Sequence, residues 1–252
     1  VLALAYHAIA DLRHDRLLAD YAVPPDRFAA QLEGLLDEGW EFLGLDRVRA
    51  GLEGRETLPA RSLLLTFDDA YADLLEVACP ILRRLGAPGV VFVVADEIGG
   101  SNVWDQEKGS ACLSLLDAGQ LGRVAAAGIE IGSHTASHSI LPQVADDQLE
   151  RELVGAADAI EAAGVPRPRA FSYPYGEWSA GVAEAVAAAG YDVAFTIQPG
   201  TIGPRSPRLA LPRVEVNASD DLDALKRKLR AARMPRPLGR AYLRSMHRRA
   251  HA

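Results

Sequence analysis

Cysteine is close to absent from this chain: Cys79 and Cys112 are the two in 252 residues. Their spacing suits no thiolate metal centre, and two thiols make no disulfide framework. No apolar run approaches the roughly 18 residues that a membrane-spanning helix needs. No glycine-rich phosphate loop is present, which removes the usual reason for a dinucleotide-binding fold. No basic-then-apolar leader opens the sequence, since Val1-Leu2-Ala3-Leu4-Ala5-Tyr6 reads as a strand; a cytoplasmic or inner-membrane-surface location is the expectation. Acidic residues are missing from residues 226–252, a stretch with ten Lys or Arg. The other residues carry 17 Lys or Arg against all 34 Asp and Glu. An acidic body, and a tail whose one aromatic is Tyr242, argue against nucleic acid as a partner. The tail reads as a solvated segment, with weak contact to an anionic membrane surface as the functional alternative.

What is present is an ordinary globular composition, 49% hydrophobic and 24% charged. It suits one large domain over residues 1–225, followed by the basic tail 226–252. One joint recurs in that domain: a helical segment, a glycine, then an extended apolar run. Gly39, Gly86, Gly128, Gly164 and Gly190 mark it. Glycine supplies the left-handed residue that ends a helix and turns the chain back into a strand. Strands are expected near 1–6, 40–44, 62–67, 90–95, 129–133, 170–173, 192–197 and 209–216. Helices are expected near 26–38, 71–85, 114–127, 146–163, 179–189 and 219–232. Helices alternating with this many short strands predict parallel pairing and an α/β barrel, closed or nearly so.

Polar residues cluster at the ends of these strands. His7 follows the first, Asp68 and Asp69 the third, His134 the fifth and Tyr175 the sixth. In a parallel barrel these ends meet at one mouth. His134 and His138 are four apart and on a helical turn share one face, so they can chelate one ion. Two imidazoles and a carboxylate leave an open position, the catalytic form of a zinc site, and zinc is the default divalent metal. The same ligand set suits a non-haem iron oxygenase, but that chemistry normally sits on a double-stranded β-helix. Adjacent carboxylates on an extended chain point to different sides, so one suits the metal and the other a water. Helix capping by Asp68 would explain one acid and not two.

Thr66-Phe67-Asp68-Asp69, Ser133-His134-Thr135-Ala136-Ser137-His138 and Ser172-Tyr173-Pro174-Tyr175-Gly176 resemble the three main motifs of the polysaccharide deacetylases, carbohydrate esterase family four. The likeness runs in order over residues 1–216, and Leu4-Ala5-Tyr6-His7 resembles the poly-N-acetylglucosamine deacetylase branch. The resemblance implies a distorted (β/α)7 barrel. It implies Asp68 as the base, Asp69, His134 and His138 as ligands of a divalent metal, and the Tyr175 N–H as a donor to the oxyanion. Some positions depart from the pattern. Ala70 stands where glycine is usual, and Ser139 where proline is. Ser172 stands where many members place an arginine against the base; Arg213 is the candidate to supply that charge instead. The family's late Leu-x-Leu-x-His motif is missing, because no histidine lies between 138 and 247. His7, at the end of the strand beside the last, is then the expected acid; histidine's ordinary pKa of about 6.5 suits it to protonating an amine.

The expected reaction is removal of acetyl groups from N-acetylated amino sugars. Asn102, Trp104 and Asp105 are expected to line the sugar cleft, Tyr173 and Trp178 to stack on a pyranose face, and Pro174 to contact the substrate. An O-acetyl esterase on the same fold and a sugar-binding protein without turnover are the alternatives.

Overall fold

The computed structural model describes residues 1–106 and 108–234. Its strands are β1 (Leu2–Tyr6), β2 (Glu41–Phe42), β3 (Ser62–Phe67), β4 (Gly89–Val93), β5 (Ile129–Ser133), β6 (Ala170–Ser172), β7 (Val193–Phe195) and β8 (Val214–Glu215). They form one curled sheet in the order β7-β6-β5-β4-β3-β1-β8, with β2 beside β3. Each strand pair is parallel. A parallel bridge from Phe195 to Leu211 carries the segment ahead of β8 against β7, which almost closes the ring. The architecture is the nearly closed α/β barrel that the strand and helix pattern predicts, in the distorted (β/α)7 form that the family resemblance implies.

Around the sheet lie α1 (Pro25–Asp37), α2 (Leu45–Leu52), α3 (Cys79–Leu85), α4 (Val103–Gln106), α5 (Ala118–Ala126), α6 (Asp146–Glu150), α7 (Ala156–Ala162), α8 (Ala180–Ala188) and α9 (Leu222–Ala232). The two-residue period of a strand separates the two cores. Leu2, Leu4 and Tyr6 of β1 pack outward with Phe28 and Leu32 of α1. Ala3 faces inward with Leu64, Val90, Phe92, Phe195 and Leu211. All five joint glycines have left-handed φ, from 60° at Gly86 to 96° at Gly190. Side chains fix several helix starts: Asp117 and Gln120 form a reciprocal capping box on α5, and Ser179 and Asp221 cap α8 and α9.

Three expectations need correction. The helix expected over 71–85 is a π-helical turn at Leu74–Ala78 running into α3. Pro80 lacks an N–H, so it cannot continue the regular ladder into the preceding turn. The helix expected from 114 starts after Asp117, because Ser114 and Leu115 bridge in extended form to Ser101 and Tyr71. The boundary expected at 225/226 falls inside α9, whose Leu225, Leu229, Ala231 and Ala232 are buried on the barrel. Residues 226–234 are thus part of the fold, and the rest of the basic tail lies outside the described residues.

Candidate active site

The strand ends converge on a cavity of about 250 Å³ whose wall includes His7, Asp68, Asp69, Trp104, Asp105, His134, His138 and Tyr175. Strand register explains the first contact. Tyr6 pairs with Phe67, and the Asp68 N–H donates to the Tyr6 carbonyl at 2.9 Å, so His7 and Asp68 leave adjacent strands side by side.

Arg213 lies beneath Asp68, inside the barrel, and is fully buried. Its Nη1 and Nη2 donate to the two Asp68 oxygens at 2.7 and 2.8 Å. Its other N–H groups reach Thr66 Oγ1 at 3.0 Å, Ser172 Oγ at 2.8 Å and the Thr196 carbonyl at 3.0 Å. The guanidinium therefore has a partner for each of its five N–H donors. Burial pushes the Asp68 carboxyl up, but the Arg213 charge, with His134, outweighs it and holds the pKa below the usual carboxylate value. Asp68 stays ionised, with an acceptor oxygen at the cavity.

Asp69, His134 and His138 offer ligand atoms that lie within 4.8 Å of one another. Nε2 of His134 and of His138 are 3.5 and 3.3 Å from Asp69 Oδ1, a buried oxygen with no hydrogen-bond partner. His134 Nδ1 sits 2.7 Å from the Ser172 carbonyl. A carbonyl can only accept, so the proton is on Nδ1 and Nε2 turns a lone pair to the site. Burial lowers the His134 pKa to about 4, against the partial opposition of Asp68. A neutral ring is the ligand form. Burial raises the Asp69 carboxyl, but the His138 ring and then His134 and His7 pull it below the ordinary range. This donor set fits a divalent cation.

Backbone strain is concentrated here. The non-glycine residues with left-handed φ among the described residues are Asp69, Ala70, Thr135, His138 and Tyr175, all in the motif loops. Ala70, at φ 57°, holds a conformation that glycine adopts without cost. Trp104 stacks on the His138 ring at 4.5 Å, and Tyr175 meets it edge-on at 4.8 Å. Lys108 Nζ donates to the Tyr175 hydroxyl at 2.9 Å and lies 3.5 Å from Asp105. The Tyr175 N–H has no hydrogen-bond partner among the described residues, as an oxyanion donor requires.

Four expected substrate contacts are not brought to the cavity wall. Asn102 is fully buried and spends its amide on the Ala111 carbonyl and the Leu113 N–H. Tyr173 is buried with its hydroxyl on the Leu209 carbonyl at 2.8 Å. Trp178 packs on Tyr173 at 6.4 Å. Pro174 is buried and opens the turn that carries Tyr175. A larger cleft, about 600 Å³, opens at the starts of β4 and β5, the face opposite the site. Its Arg49 is matched by Glu130 and Asp192 at 2.8 and 3.1 Å, so it reads as an ion-paired closure of the barrel.

Glu152 escapes a reading of motifs. It is buried on the π-helical turn Arg151–Gly155 between α6 and α7. Its Oε2 accepts from the N–H groups of Ala136 and Ser137, both at 3.0 Å, and its Oε1 accepts from Ser137 Oγ at 2.7 Å. One carboxylate thus ties down the loop between the two histidines. The available signal is an acid on the apolar stripe Leu149, Leu153, Ala156, Ile160.

Comparison with known proteins agrees with this geometry. Residues 55–194 match the family described as Polysaccharide deacetylase. The poly-beta-1,6-N-acetyl-D-glucosamine N-deacetylase of Staphylococcus epidermidis is 25% identical over 236 residues, 86% of this chain and 78% of that protein. The Streptococcus pyogenes deacetylase PplD, solved in complex with acetate, superposes with a TM-score of 0.75 at 26% identity, over 90% of this chain and 96% of that one. IcaB from Ammonifex degensii shares the fold with a TM-score of 0.75 at 23% identity, over 89% of this chain and 94% of that one.

Proposed function

The chain belongs to the polysaccharide deacetylase family, and on that premise we propose that it hydrolyses the acetamido group of N-acetylated amino sugars in a polymer, oligomer or glycoconjugate. The observation that carries this reading is the pairing of two carboxylates with separate surroundings in one cavity. Asp68 is gripped by Arg213, and Asp69 faces two histidine nitrogens.

A divalent cation on Asp69, His134 and His138 would supply Lewis acidity and make a water acidic enough to attack near neutral pH. Asp68 takes the proton of the attacking water, and Arg213 keeps that carboxylate ionised and fixed in rotation. The Tyr175 N–H donates to the oxyanion of the tetrahedral species. His7, which leaves the strand adjacent to that of Asp68, delivers a proton to the leaving amine. Trp104 shields the His138 ring and lines the mouth with Asp105. The likeness to the Staphylococcus epidermidis enzyme favours N-acetylglucosamine units as substrate.

The test measures bound metal and acetate release from N-acetylglucosamine oligomers and from acetylated xylan. Acetate from the amide substrate with stoichiometric metal is expected. Release from xylan alone would make the protein an O-acetyl esterase, and binding without release a sugar-binding protein. Asp68→Asn is expected to keep the metal and slow the amide reaction by roughly 10²–10⁴-fold. Asp69→Asn is expected to lose the metal as well as the rate; the reverse result would exchange the two roles.

A further inference from the structure

Once Arg213 is matched with Asp68, Lys108 with Asp105, and a divalent cation with Asp69, the cavity keeps one unmatched charge among the described residues, Glu215. It stands at the end of β8 and pairs in register with Ala5, two residues before His7 on the same side of β1. Its carboxylate has no ion-pair or hydrogen-bond partner among the described residues. Lys228 reaches the Glu215 backbone carbonyl at 3.1 Å and spends its other contacts on Asn217 and Asp220. In the cavity wall Glu215 lies near Tyr21, whose ring is 5.3 Å from His7. Burial and then the Glu215 charge raise the Tyr21 hydroxyl pKa. Open to the cavity and without a donor of its own, the carboxylate is free to accept from a cationic ligand, and charge-assisted hydrogen bonds are the strong kind.

We propose that the Glu215 side of the mouth is a subsite for a free ammonium group, so that the protein favours amino-sugar chains already deacetylated at the unit beside the reacting one. The inference rests on the reading of the cavity as a deacetylation site. It gives direction to the reaction: each ammonium formed becomes a recognition element for the next unit, and chains bearing carboxylates at that position are disfavoured by like charge. A hydrogen bond to a charged group is worth tenfold or more in affinity, to order of magnitude.

Zinc-loaded wild type and Glu215→Gln are compared on two N-acetylglucosamine oligomers of equal length, one fully acetylated and one with glucosamine next to the reacting unit. The wild type is expected to favour the amine-bearing oligomer in kcat/KM by about tenfold, and the variant to bring that ratio close to unity. Calorimetry with a fully deacetylated oligomer is expected to show about tenfold tighter, salt-sensitive binding by the wild type. Equal ratios in the two proteins overturn the proposal. So does an equal loss on both oligomers, which would make Glu215 an acceptor for sugar hydroxyls, or a variant that fails to hold zinc. If neither protein releases acetate from either oligomer, the deacetylase reading fails, while calorimetry still decides the role of Glu215.

Discussion

Asp68 and Arg213 form an ion pair whose value depends on both members being present. A buried charge left without its partner costs about 3–5 kcal/mol, whereas the intact pair adds little net stability. Arg213→Gln should therefore destabilise the fold by roughly that amount and, more tellingly, raise the Asp68 pKa. In the intact protein Asp68 is ionised down to below the usual carboxylate range. Its stabilising contribution is present above the unfolded-state pKa, about 3.9, and is lost as pH falls through the lower folded-state value. The acid limb of kcat/KM should move to higher pH in Arg213→Gln; an unmoved limb would mean that Asp68 is not the base. His7 needs a different probe, because the part proposed for it is in leaving-group departure. His7→Ala should keep metal and fold, and slow amide hydrolysis much more than hydrolysis of an activated acetyl ester whose leaving group needs no proton. Equal losses on the two substrates would remove His7 from that role.

At the scale of elements, the loop of residues 134–138 is held from outside by a helix. Thr135 and His138 keep left-handed φ there, at 70° and 61°, while Glu152 fixes the two N–H groups between them. Glu152→Ala leaves these N–H groups without an acceptor and frees the histidines to separate. Residues that orient metal ligands typically contribute about 10–100-fold in metal affinity. That loss is expected here by metal titration, with Glu152→Gln, which retains one acceptor oxygen, recovering part of it. Undiminished affinity in the alanine variant would confine Glu152 to fold stability. This is also where sequence reading reached its limit. The strand-end motifs and the glycine joints were legible because they are local: each encodes its own turn. Asn102, Tyr173 and Trp178 were not, because whether a polar or aromatic side chain faces a cavity or a carbonyl depends on which distant segment packs over it. Arg213 was legible as a candidate charge, but its position under Asp68 depends on β8 pairing with β1. The helix α2 went unseen, since its eight residues carry two arginines and a glycine and have no side-chain cap.

Across the whole molecule, the chain's last described helix joins the two poles of the barrel. Asp221 caps α9 near the end of β8, on the side of the mouth. Its far end reaches the barrel floor, where Arg233 stacks over Trp40 at 4.8 Å and bonds to the Ala60 carbonyl at 2.6 Å. The basic residues of α9 therefore belong partly to the fold, and a cut at the 225/226 boundary would not remove a detachable tail. A chain ending at 225 leaves four helical residues, too few to persist, and exposes the docking surface of Leu225 and Leu229. Each buried leucine is worth about 1.5–3 kcal/mol, so the loss is a large part of the roughly 5–15 kcal/mol that holds a domain together. It also frees the segment that Lys228 ties to the Glu215 carbonyl, next to the mouth. A chain ending at 234 keeps every one of these contacts. The shorter protein should melt well below the full chain, or fail to fold, and lose metal-dependent activity. The longer one should match the full chain in Tm and in turnover on a small N-acetylglucosamine oligomer. A shorter chain with unchanged Tm would show that α9 is dispensable to the barrel. Liposome flotation, for the same reason, is informative about residues 235–252 only when the comparison protein ends at 234.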